Sequence, residues 1–189
     1  MCSPAGWTPR VPTGAILRAR DDGTFWAARR VMAFSDEMIR ALVKTGQYSD
    51  PQAEALLAKV LIQRRDKIGH AYLPAVNPVV NVALSDTGML TFANAAVSAG
   101  IAPAPAGGYV MQRARFDNNT GVTTGALGTP TSTGAGQSQA PVALPSEPGA
   151  YIEVEIRAVQ PANSSWGAPV SAYFRRAGGW KLVGLERMP

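Results

Sequence analysis

Near Tyr72 the spacing of apolar residues changes from a helical period to an extended one, and this change constrains the fold more than any other feature. Before it, apolar residues recur every three to four positions. Ala53, Leu56, Leu57, Val60, Leu61 and Ile68 share one face of a helix that Asp50 caps and Pro51 opens. Two helices are expected ahead of it. Thr24 can cap FWAARRVMAF, and Ser35 can cap DEMIRALVKT. Asp36 and Glu37 then lie in a first turn, where the helix dipole favours negative charge. Gly46 is placed as a left-handed stop. The segment before Thr24 has Pro and Gly punctuation and no periodicity, so it reads as an extended lead-in.

After Tyr72 the period is two. AVNPVVNVAL reads as a strand and SDTG as a turn, and LTFANAAVSAG as a short strand running into a helical turn. Val110 to Phe116 alternates. Tyr151 to Val159 alternates again, with Ile152, Val154 and Ile156 inward and Glu153, Glu155 and Arg157 outward. APVSAYFRR and GWKLVGLER are two further strands joined at Ala177-Gly178-Gly179. Between these, Asn118 to Gly149 is rich in Gly, Thr, Ser, Pro and Ala, a composition that builds no core.

The expected architecture is therefore α+β. A lead-in over 1–23 precedes a small helical unit over 24–72. An antiparallel β-sandwich of immunoglobulin or fibronectin type follows over 73–189, with a flexible loop at about 118–149. Trp26, Phe34, Leu57, Leu61, Phe92, Phe116, Ile156, Phe174, Trp180 and Val183 are the expected core.

Charge limits the function. Only 16% of residues are charged and the net charge is +5. Lys and Arg exceed Asp and Glu by 11 to 7 up to Tyr72 and by 7 to 6 beyond it, so the mild basicity sits in the first part. Arg29, Arg30, Arg64 and Arg65 are its candidate binding residues. They lack the dense basic stripe of a nucleic-acid binder, so nucleic acid is not an expected partner. The single cysteine, Cys2, excludes an internal disulfide framework and a multi-cysteine metal site. No apolar run precedes it, so neither a signal peptide nor lipidation is expected, and no run of about 18 apolar residues points to membrane insertion.

Motifs for chemistry are few. QRRDKIGH, Gln63 to His70, holds the only histidine. It falls on the last two turns of the third helix, where positive charge complements the dipole. Asp66 and His70 are four apart and can pair. The stretch is thus explained without a ligand. Its Arg-Asp is that of a protein-kinase catalytic loop, but the Asn expected five residues after Asp66 is Ala71. VALSDTG carries the Asp-Thr-Gly of aspartic proteases, which would place Asp86 as the catalytic residue of a homodimer, with Leu182, Val183 and Gly184 as the later apolar pair and Gly. Asp-Thr-Gly is equally good turn chemistry between strands, and the bulky Met89 stands where a small residue is usual. No metal site and no cofactor are expected.

The run FWAARRVMAFSDEMIRALVKTGQYSDPQAEALLAKVLIQRRDKIG resembles a segment of large, uncharacterised bacterial proteins of the cell envelope. Their pattern is Phe/Tyr-Trp-x-Ala-Lys, Met-Ala-Phe-Thr/Ser-Asp-Glu, Tyr-Ser-Asp-Pro and Arg-Arg-Asp-Lys-Ile-Gly. It is matched here by Phe25 to Arg29, Met32 to Glu37, Tyr48 to Pro51 and Arg64 to Gly69, with Arg29 in place of the usual Lys. ARFDNNTG and SAYFRRAGGWKLVGLER are similar to a middle strand and the close of those proteins. The resemblance implies the C-terminal part of a longer protein whose upstream, kinase-like portion is absent from this sequence. It implies a non-catalytic structural or interaction module in the envelope or periplasm. Its partner would be a protein, or the missing N-terminal region of a longer homologue. The resemblance carries over no functional residue.

Overall fold

Two local signals set the helices where the sequence places them. Asp50 accepts a hydrogen bond of 2.8 Å from the Gln52 N–H, with Pro51 at the first helical position, and the helix runs from Pro51 to Tyr72. Ser35 accepts from the Met38 N–H at 3.2 Å and starts the helix Asp36–Lys44. The computed structural model describes residues 4–6, 9–11, 13–134, 136–137 and 142–187. Cys2 lies outside them.

The chain forms two compact units, the first ending at Ala75 and the second starting at Val76. In the first, a 3-10 turn (Pro4–Gly6) and a short helix α1 (Gly14–Leu17) come before α2 (Asp21–Met32), α3 (Asp36–Lys44) and α4 (Pro51–Tyr72). The lead-in is thus partly helical, and α2 starts three residues before Thr24. Asp21 and Asp22 in its first turn suit the dipole, and the Thr24 hydroxyl donates back to the Asp21 carbonyl instead of capping. The left-handed residue after α3 is Gln47, at φ 49°, not Gly46.

Both α2 and α3 pack on α4. Ile39 and Val43 of α3 bury against Ala58, with Leu57 and Ile62 beside them. Phe25 and Ala28 are the buried residues of α2. Three expected core residues are instead exposed: Trp26 at 58%, Phe34 at 43% and Leu61 at 37%. Helix geometry explains Trp26, because turning Phe25 inward swings its neighbour about 100° away.

The second unit is antiparallel throughout. The strands are β1 (Val79–Leu84), β2 (Leu90–Asn94), β3 (Tyr109–Asp117), β4 (Val122–Ala126), β5 (Thr131–Thr133), β6 (Tyr151–Ala158), β7 (Val170–Arg176) and β8 (Trp180–Arg187), with a helical turn α5 (Ala95–Ser98) after β2. Helices followed by antiparallel strands were expected and are found. The strands do not divide into two sheets of similar size, as in an immunoglobulin or fibronectin sandwich. Six belong to one sheet, in the order β4-β3-β6-β7-β8 with β5 also on β3, while β1 and β2 pair alone. Thr131 to Thr133 pair with β3, and Gln137 bridges to Thr91 of β2. The Arg187 guanidinium donates to the Asn77 and Val79 carbonyls at the start of β1.

The polar stretch 118–149 therefore holds two strands, β4 and β5, where a loop was expected. Pairing with β3 supplies the order that their own composition does not. In the core, Met111, Ile152, Val154, Ile156, Trp166, Val170, Ala172 and Phe174 are fully buried. Phe92 and Trp180 are buried as well, and Phe116 is half-buried against Tyr173 at 4.7 Å between rings. Val183 is 55% exposed, because it is the extra residue of a bulge: Tyr173 pairs with Gly184, and Phe174 with Leu182.

Candidate functional site

The apolar arcs of the first unit's helices are wider than the stripes they bury. On α3, Ile39 and Val43 point into the core, while Met38 and Leu42, one position earlier in each turn, are 49% and 56% exposed. On α4, Ala58 is buried while Leu61 faces out. At the α2–α3 corner stands Phe34. Of the surplus apolar groups, Phe34, Leu42 and Leu61 meet in one groove of about 270 Å³, lined also by Val31, Ile39, Ile68, Arg64 and Arg65. All three long helices contribute to it.

Arg65 fixes one end of this groove. Its guanidinium donates to the Phe34 carbonyl at 2.7 Å, to Asp36 at 2.7 Å, and to Asp66 at 2.7 and 2.9 Å. These bonds tie α4 to the corner where α3 begins, and so hold Phe34 in the lining. Burial works against the Arg65 charge, but the hydrogen bonds to Asp66 and Asp36 outweigh it and its pKa rises. The hydrogen bond from Arg65 holds the Asp36 carboxyl below its ordinary value. Arg40 also reaches Asp36, at 3.3 Å one turn along α3. Asp66 is engaged by Arg65, so the expected pairing with His70 is not the one formed.

The other basic candidates have different settings. The Arg30 guanidinium lies 5.1 Å from the centre of the Trp26 ring, a cation–π contact one turn along α2. Arg64 lends its chain to the groove wall. Arg29 is half-buried on α2. Among the described residues, no carboxylate forms an ion pair with Arg29, Arg30 or Arg64. The groove itself was not foreseen. Its signal was the run of apolar residues on α3, more than one stripe could bury.

Asp86 sits in the tight turn between β1 and β2. Gly88 donates to the Ser85 carbonyl at 3.0 Å, and Ser85 Oγ accepts from the Met89 N–H. Gly88 has φ 81°, and a Cβ there would lie 2.1 Å from the Val142 carbonyl oxygen, so only glycine fits. The Asp86 carboxylate is largely exposed and meets Arg176 at 2.5 Å. An aspartic-protease dyad needs a second carboxylate to share a proton, whereas the group against Asp86 is a guanidinium. Leu182 and Val183 lie on β8 with their side chains exposed.

A different cation is buried in the second unit. Arg113 is 1% exposed and pairs in register with Val154, which pairs in turn with Ala172, so it lies on the apolar face of the sheet. It donates to Thr131 Oγ1 at 3.1 Å and to the Gly88 carbonyl at 3.4 Å, and its Nε has no acceptor. Burial lowers its pKa.

Among the described residues no three of His, Cys, Asp and Glu gather to hold a metal ion, and no helix is long and apolar enough to cross a membrane. Compared with known families, characterised proteins and solved structures, the chain finds no match.

Proposed function

We propose that this chain is a non-catalytic interaction module, accessory to a larger bacterial envelope protein, which holds a protein partner on the apolar groove of its helices. The observation that carries this is the convergence of Phe34, Leu42 and Leu61, all more than a third exposed, on one concave site. Single exposed apolar residues are ordinary, but a connected concave set marks a binding surface. The envelope setting rests on the resemblance alone.

Site-directed photocrosslinking tests the reading. A photoreactive phenylalanine replaces Leu42 in the chain expressed in its native cells, with the same group at the exposed Ser49 as control. A discrete protein adduct from position 42 and not from position 49 is expected. Equal labelling from both positions sinks the proposal.

A further inference from the structure

We infer that the groove receives an amphipathic helix of a protein partner, with carboxylates flanking its apolar face. This rests on the interaction reading above and adds the chemistry of the occupant.

The walls decide the shape. All three are α-helices, so the site has no strand edge on which a partner could add a strand. Recognition has to run through side chains. The lining follows helical spacing: Ile39 and Leu42 fall three apart on α3, and Leu61, Arg65 and Ile68 fall four and three apart on α4. Ridges at that spacing accept the complementary ridges of another helix.

Charge decides the flanks. The charged residues of the lining are Arg64 and Arg65, and Arg65 is already engaged by Asp36 and Asp66. Arg64, in the wall, has no carboxylate partner among the described residues. The uncommitted charge at the rim is therefore positive. An apolar helix flanked by Asp or Glu satisfies groove and rim together, while one flanked by Lys or Arg would bring like charge against Arg64.

The test is to pan a library of random peptides, each long enough for four helical turns, on the full chain. Binding of the enriched peptides is then measured to the wild type and to Leu42→Asp and Arg64→Glu. Circular dichroism checks that each variant is folded. Enriched peptides should carry apolar residues at helical spacing flanked by Asp or Glu. They should bind Leu42→Asp and Arg64→Glu at least about tenfold more weakly. Peptides that depend on Leu42 but have neutral or basic flanks overturn the inference and leave the interaction reading standing. Peptides indifferent to Leu42→Asp, or no enrichment, overturn both. A chain that is dimeric in solution and becomes monomeric on Leu42→Asp has a second copy of itself in the groove, which also overturns the inference.

Discussion

Arg65 donates a hydrogen bond of 2.7 Å to Asp36, 29 residues earlier in the chain, and the same guanidinium holds the Phe34 carbonyl. One side chain thus closes the corner between α2 and α3 against α4. Arg65→Ala should lower the stability of the helical unit, by about 1 kcal/mol from the Phe34 carbonyl contact alone. Arg65→Lys should recover only part of the loss, since a single ammonium cannot reproduce the fork of donors. Urea unfolding followed by circular dichroism at a helix wavelength reads both variants.

Acid should loosen the same corner. The Asp36 carboxyl is lowered in the folded chain by its hydrogen bond from Arg65. A carboxyl lowered on folding contributes stability above its ordinary value and loses it as pH falls through the lowered value. The helical unit should therefore weaken as pH falls from the ordinary carboxylate value through the lowered one. Asp36→Asn should flatten that acid limb in a pH series of unfolding curves. A limb unchanged by the substitution counts against the pairing.

Arg113 offers the opposite sign. A buried cation with two neutral acceptors and an unpaired Nε is costly where it lies. Arg113→Met keeps an unbranched apolar stem and removes the charged guanidinium. It should raise the stability of the second unit by about 1 kcal/mol or more. The urea midpoint should rise with an unchanged slope.

Burial separates two apolar residues of neighbouring strands. Phe174 is fully buried on β7, and Phe174→Ala should cost about 3–5 kcal/mol. Val183, exposed at its bulge on β8, should tolerate Val183→Ala within about 0.5 kcal/mol. Thermal unfolding of the two variants compares them directly.

Asp86→Asn removes an exposed pairing with Arg176 and should change stability by less than about 1 kcal/mol. Neither form should cleave an unstructured protein substrate. Cleavage by the wild type that disappears in the folded variant would instead establish the protease.

Much of what depends on near neighbours was legible in the sequence, though not the start of α2 or the left-handed Gln47 after α3. Ser35 and Asp50 cap where their side chains reach the next turn, and Pro51 opens α4. The alternation of Ile152, Val154 and Ile156 appears directly in β6, and Ala177 to Gly179 turn the chain between β7 and β8. The SDTG stretch is a turn. These signals survive because capping, strand alternation and turn geometry are settled within a few residues.

The tertiary structure decided which apolar residues are covered. Apolar spacing put Trp26, Phe34 and Leu61 in the core, yet burial needs a partner surface, and α2, α3 and α4 cover only part of one another's apolar arcs. Part of the uncovered remainder lines the groove. Pairing also turned Tyr109, Met111 and Arg113 inward on β3 and drew β4 and β5 out of a stretch without core-forming residues. A residue's polarity is written in its own side chain. Its burial depends on segments as distant in sequence as Arg187 is from Asn77, and the chain meets those only when it has folded.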